Sequence, residues 1–143
     1  MSDLVLDASV TLAWCFDDED AAYADSVLGF LKDHVIAVPA LWFSEIANGI
    51  AVAERRGRVQ RAEIARLGAL LSSIAIIVDH PLTLQPWLTN VTSLARRTNL
   101  STYDATYLEL AMRLGLPLAT TDRTLRLAAT NQDVPAFSPD RSI

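Results

Sequence analysis

The stretch Leu4-Val5-Leu6-Asp7-Ala8-Ser9-Val10 decides the fold. Its apolar start is short and ends in an acid, which reads as a buried strand. Ala8 to Cys15 follows as a short helix. The same alternation recurs along the chain. Val35 to Val38 is a second buried strand, with Pro39 fitting the first turn of the next helix. Ile74 to Val78 is a third, β-branched and apolar. Leu118-Ala119-Thr120-Thr121 is a fourth, followed by Asp122, and Val134 to Phe137 forms a last short strand.

Helical signals fill the intervals. Asp17 to Asp20 is an acidic loop that suits a helix N-terminus. Ala24, Val27, Leu28 and Leu31 then repeat at helical spacing. A helix through Glu45 runs to about Arg56, where Gly57 is a stop signal. Ile64, Leu67, Leu70 and Leu71 mark a further helix. Pro81 and Pro86 break the chain before a helix near Trp87 to Arg97. Ser101-Thr102-Tyr103-Asp104 opens the next, and Gly115 and Pro117 close it. A final helix passes through Leu125 and Ala129. Short strands alternating with helices argue an α/β fold around a parallel sheet. Such sheets place their sites outside the carboxyl ends of the strands.

Composition narrows the function. With 143 residues, 51% hydrophobic and 20% charged, the chain is expected to form one domain, residues 1–143, and not a disordered acidic tail. Cys15 is the one cysteine, so no internal disulfide forms and a zinc cluster is disfavoured. The N-terminus lacks the basic, then apolar, pattern of a signal peptide. No run of about 18 uncharged apolar residues is present, so no membrane span is expected and the cytoplasm is the default compartment. Net charge is −5, unevenly spread: residues 1–54 hold ten acids and one lysine, residues 55–143 eleven arginines and seven acids. The arginines of the second half, in clusters such as Arg55, Arg56, Arg58 and Arg61 or Arg96 and Arg97, are suited to phosphate or to solvated helix ends.

Four carboxylates fall in suggestive places. Asp7 ends the first strand and Asp122 follows the fourth, so both belong at the carboxyl edge of the sheet. Asp104 lies in a helical first turn, and Glu45 lies inside a helix in mostly apolar surroundings. Each aspartate also suits an N-cap, and Ser101 with Asp104 has the spacing of a capping box. Capping does not compete with ligation, since a capping carboxylate has a second oxygen. Clustered carboxylates raise one another's pKa, and a divalent cation removes the conflict. Hard oxygen donors select magnesium or manganese over zinc. His34 and His80 have no ligand-like spacing, which argues against histidine-based chemistry. A site of several acids suits metal-assisted phosphodiester hydrolysis.

Asp7-Ala8-Ser9-Val10, Pro39-x-x-x-x-x-Glu45-Ile46-x-Asn48, Tyr103-Asp104-Ala105-x-Tyr107 and Thr120-Thr121-Asp122-x-x-Leu125 together resemble PIN-domain ribonucleases, and among them VapC-type toxins of toxin–antitoxin pairs. The likeness covers essentially the whole chain, in the family's order. It implies a three-layer α/β/α sandwich with a central, mainly parallel sheet of four to five strands. It implies a Mg2+- or Mn2+-dependent endoribonuclease leaving a 5′-phosphate and a 3′-hydroxyl. Asp7, Glu45, Asp104 and Asp122 match the family's acidic quartet, the implied metal ligands and catalytic groups. Ser9, Asn48, Thr120 and Thr121 match polar positions that orient carboxylates or waters. The implied partners are RNA, a second copy of the chain, and a VapB-type antitoxin that fills the groove, often with a basic side chain near the acids.

Because the first half is acidic, the expected RNA track lies in the second half, at Arg96, Arg97 and Arg123. Trp14, Phe16, Trp42 and Phe43 are expected either to line an apolar antitoxin groove or to pack in the core. A haloacid-dehalogenase-like phosphatase needs a second aspartate where Ser9 stands and a downstream lysine, and the chain's one lysine is Lys32. A receiver domain fails in a similar way. A catalytically silent PIN-like scaffold or RNA-binding module is the remaining alternative.

Overall fold

The computed structural model describes residues 1–16 and 20–139. Asp17, Asp18 and Glu19 of the expected acidic loop lie outside the described residues. Four strands form one parallel sheet: β1 (Leu4–Leu6), β2 (Val35–Pro39), β3 (Ala75–Asp79) and β4 (Leu118–Ala119), in the order β3-β2-β1-β4. Among the described residues seven α-helices accompany them: α1 (Ala8–Ala13), α2 (Ala21–Phe30), α3 (Leu41–Arg55), α4 (Arg61–Ser72), α5 (Leu84–Thr98), α6 (Thr102–Leu114) and α7 (Arg123–Asn131). The result is the expected α/β/α sandwich. Among the described residues no helix is long and apolar enough to cross a membrane.

The central strand explains why the sheet is parallel. Leu4, Val5 and Leu6 are wholly buried. A strand apolar at every position needs cover on both faces, and the crossover helices of parallel strands supply it. Burying each such side chain contributes about 1.5–3 kcal/mol. Right-handed crossovers put α1 to α4 on one face and α5 to α7 on the other. Helix α6 packs on β1, β2 and β4, while α3 packs on β2 and α1. Strand β3 is an edge strand, and Ile77 on it is half exposed.

Several local expectations change. Pro39 is the last residue of β2, paired in register with Asp79, and α3 begins after Ala40. Proline's missing N–H is tolerated at a strand end as it is in a helical first turn. Pro86 lies inside the first turn of α5, which starts at Leu84. The amide it lacks would have had no intrahelical acceptor there. Only Leu118 and Ala119 of the fourth apolar run are strand, because Thr120 leaves the sheet to serve a side-chain network around Asp7. The last segment contributes a single parallel bridge, Leu118 to Ala136, beside β4. Gly115 ends α6 at φ +66°, a left-handed conformation that favours glycine.

Candidate functional site

The strand order reverses at β1: the chain builds outward through β2 and β3, then returns to add β4 on β1's other side. The crevice beyond β1 and β4 is therefore the sheet's switch point, where α/β folds place ligands. Asp7 follows β1 directly. It occupies the N-cap position of α1, yet its side chain makes no capping bond. Instead Asp7 Oδ2 accepts from Ser9 Oγ at 2.6 Å and from Thr120 Oγ1 at 2.8 Å. The two hydroxyl oxygens are 3.3 Å apart, but each has one proton and each proton is directed at Asp7. Their lone pairs are used as well. Thr121 N donates to Ser9 Oγ at 3.1 Å, and Asp122 N donates to Thr120 Oγ1 at 3.0 Å.

This network locks the ends of β1 and β4 together around one carboxylate. Asp122 is held independently, since its Oδ1 accepts from Leu125 N at 3.0 Å and caps α7. Arg126 donates to Thr120 O at 2.6 Å with its guanidinium over the Tyr23 ring. Sequence reasoning missed Arg126. It lies one helical turn after Asp122, so its spacing carried the signal.

The other two acids arrive on helices. Ser101 Oγ accepts from Asp104 N at 3.1 Å, which is half of the expected capping box. That cap starts α6 where Asp104 sits at the sheet edge. Tyr107, three residues on, shares its helical face and is fully buried. Glu45 enters from α3, whose apolar residues Trp42 and Ile46 are buried. Glu45 Oε1 and Tyr107 OH are both buried without a hydrogen bond of good geometry. They lie close enough that the phenol offsets part of the cost of a charged Glu45. Tyr107 was not among the expected site residues, although its place in the Tyr103-Asp104-Ala105-x-Tyr107 motif marked it.

Asp7, Glu45 and Asp104 each sense the charge of a neighbouring acid. Burial is the largest influence on Asp7 and pushes its carboxyl up; the Ser9 and Thr120 hydroxyls pull it down, and the charge of Asp122 raises it. Burial also raises Glu45, with Asp7 and Asp104 adding to the rise. Asp104 is raised by burial, then by Asp7 and Asp122. Burial and the neighbouring charges of Asp7 and Glu45 hold the Tyr107 phenol protonated. The edge therefore concentrates negative charge.

Among the described residues, no three His, Cys, Asp or Glu side chains are gathered closely enough to form a ready cation cage. The donor chemistry nonetheless fits a hard cation. Every donor is oxygen, Asp7, Glu45 and Asp104 each feel a neighbouring carboxylate's charge, and Glu45 Oε1 is buried without a hydrogen bond of good geometry.

The PIN domain family matches residues 4–131. The chain belongs to the PIN-domain family. No curated protein matches this PIN domain in sequence. Among solved structures it is similar to PAE2754 from Pyrobaculum aerophilum, at 30% identity and TM-score 0.65, covering 89% of this chain and 79% of that one. It also resembles FitAcB from Neisseria gonorrhoeae, at 18% identity and TM-score 0.56 over 97% of this chain and 99% of the other. A domain of a functionally unknown Methanocaldococcus jannaschii protein gives the same identity and TM-score over 96% of this chain and 90% of its own. These last two likenesses concern the fold. Membership of the family supports a nuclease or RNA-binding function.

Within this PIN domain the expected residues divide. Ser9 and Thr120 bond Asp7 directly. Thr121 contributes its backbone amide to that network. Asn48 is exposed one turn beyond Glu45 on α3. Arg96, Arg97 and Arg123 are exposed, and among the described residues no hydrogen bond or ion pair links them to the acids. Arg123 begins α7 beside Asp122, whereas Arg97 donates to Gln132 at 3.3 Å. The four aromatics do not form one groove. Trp42 is core, at 2% exposure, and Trp14 is half-buried with its indole N–H on Ala24 O at 2.8 Å. Phe16 lies under the Arg58 guanidinium, and Phe43 is half exposed.

Proposed function

We propose that the protein is a divalent-metal-dependent endoribonuclease and the toxin of a VapBC-type pair. One observation carries the reading: Asp7, Glu45, Asp104 and Asp122 stand on four separate elements at one sheet edge, and burial together with a neighbouring carboxylate's charge raises the carboxyls of Asp7, Glu45 and Asp104. A fold does not place four repelling groups together without a counter-charge. The four would hold Mg2+ or Mn2+, the ion type that PIN nucleases typically use. When bound, the ion lowers the pKa of a water and offsets charge on the departing 3′ oxygen.

The chain's own residues supply orientation and proton transfer. Ser9 and Thr120 hold Asp7 in one rotamer, and the cap at Leu125 holds Asp122. Burial raises Glu45, which suits a carboxylate for taking a proton from water near neutral pH. Water oxygen joins phosphorus, the P–O3′ bond breaks, and the proton ends on O3′. The products are a 5′-phosphate and a 3′-hydroxyl. Arg96, Arg97 and Arg123 are the proposed phosphate contacts. The acidic edge is complementary to a basic side chain of a VapB-type antitoxin. We place the enzyme in the cytoplasm, as a homodimer built from single-domain chains.

The test is cleavage of total RNA by purified, antitoxin-free protein with Mg2+, with Mn2+ and with EDTA, beside Asp7→Asn. Discrete cuts with 5′-phosphate ends that vanish with EDTA and in the variant support the enzyme. Loss of cutting on adding the product of a neighbouring small gene supports the toxin. A folded protein that neither cuts RNA nor gains stability from either ion would be a scaffold, and the proposal would fall.

A further inference from the structure

Beside the acids lies a cavity of about 310 Å³ whose walls are mostly apolar. Pro39, Leu41, Pro81, Trp87, Tyr103 and Thr106 are among the residues that line it. We propose that it receives a single unstacked base of the RNA strand, next to the phosphate that is cut. The inference rests on the ribonuclease reading and deepens it by naming how substrate is chosen.

The cavity and the acids share two helices. On α3, Leu41 lines the cavity and Glu45 follows one turn later, a rise of about 6 Å. On α6, Tyr103 lines the cavity and Asp104 is its chain neighbour. Pro39 and Asp79 place the cavity beyond the carboxyl ends of β2 and β3, on the same sheet edge as Asp7. Its volume is near the lower limit of ligand pockets, roughly 300 Å³. That suits one ring system and not a folded segment.

Its chemistry is that of a base site. Tyr103 and Trp87 offer aromatic faces, and single-stranded RNA is held by stacking on such faces. The one carboxylate on the wall, Asp79, is neutralised by Arg113, whose NH1 and NH2 donate to its two oxygens at 3.1 and 2.8 Å. The net charge of −5 and the four acids repel phosphate. An uncharged grip on a base adds affinity at this edge without bringing further charge to it.

The experiment uses a random 20-nucleotide RNA pool with Mg2+ or Mn2+, cut sites being read by sequencing. Tyr103 is 63% exposed, so Tyr103→Ala removes the ring without unfolding the core. Tyr103→Phe keeps an aromatic face, and Trp87→Leu tests the facing wall. The wild type should show a base preference at one position flanking the cut. Tyr103→Ala and Trp87→Leu should lower kcat/KM by roughly fivefold to a hundredfold and erase that preference, while Tyr103→Phe retains it. RNA abasic at that position should be cut equally slowly by wild type and Tyr103→Ala. Unchanged rates and preference in both Tyr103→Ala and Trp87→Leu would overturn the inference. Unchanged cleavage with lost inhibition by the neighbouring gene's product would also overturn it, assigning the cavity to a protein partner. A folded wild type that cuts nothing removes the ribonuclease reading itself, and the base site with it.

Discussion

The Thr120 hydroxyl donates to Asp7 Oδ2 at 2.8 Å, joining two residues 113 positions apart in the chain. The same oxygen of Thr120 accepts from Asp122 N, so one buried hydroxyl couples two of the four acids. Thr120→Val keeps the shape and removes both bonds. It leaves a buried amide and part of a carboxylate unsatisfied, at a cost of about 1–3 kcal/mol. Denaturant unfolding should show that loss, and divalent-ion affinity should fall by roughly 10–100-fold. Thr120→Ser should restore most of both. A Thr120→Val protein with wild-type stability and ion affinity would deny the coupling.

Asp7, Glu45 and Asp104 all have folded-state pKa values raised by burial and mutual repulsion. Between the unfolded carboxyl range, about 4, and those raised values, the folded protein binds more protons than the unfolded chain. Stability from these groups is therefore full below that range and is lost as pH rises through the folded values. Ion-free protein should melt at a higher temperature near pH 5 than near pH 7.5. Saturating Mg2+ should flatten or reverse the slope, because the ion binds deprotonated carboxylates. Calorimetry at several pH values, with and without Mg2+, makes the comparison.

Asp7→Asn tests the same electrostatics from the other direction. Removing a charge that is buried and faces Asp122 should raise the ion-free melting temperature at neutral pH, trading function for stability. It should also abolish stabilisation by Mg2+ or Mn2+. A lower ion-free melting temperature would mean that the hydrogen bonds from Ser9 and Thr120 outweigh the burial of the charge.

Tyr107 OH is buried beside Glu45 with no hydrogen bond of good geometry. Tyr107→Phe removes an unsatisfied group, so ion-free stability should stay within about 1 kcal/mol of the wild type or rise. If the phenol positions Glu45, cleavage should fall by roughly 10–100-fold, with the loss in kcat and not in KM. Full activity in the variant would reduce Tyr107 to a core residue.

The arginines are tested by salt dependence. Arg96→Ala, Arg97→Ala or Arg123→Ala should each weaken RNA binding and reduce the slope of log affinity against log salt by about 0.7 for each phosphate no longer neutralised. Filter binding to single-stranded RNA across salt concentrations gives the slopes. Arg123, beside Asp122, should show the largest change; three unchanged slopes would place the RNA track elsewhere.

The sequence by itself determined the sheet class and where along the chain the candidate acids fall. Leu4-Val5-Leu6, Val35 to Val38 and Leu118-Ala119 are apolar at consecutive positions, a pattern a solvated face would interrupt, so the parallel sheet was legible. The placing of Asp7 was legible because it directly follows such a run, that of Asp122 because it comes just after Thr120-Thr121 at the end of another, and that of Asp104 because Ser101 starts its helix. Only tertiary structure decided which hydroxyl meets which carboxylate. Thr120 and Thr121 look equivalent along the chain, yet one offers its hydroxyl and the other its amide, since the chain leaves β4 between them and Asp7. Trp42 and Phe43 are likewise adjacent and apolar, but the rotation of α3 buries the first and exposes the second. The burial of Glu45 Oε1 beside Tyr107 and the cavity between α3, α5 and α6 depend on how helices distant in sequence approach one another. Local propensity and spacing are short-range, and these features arise from contacts between elements that only packing brings together.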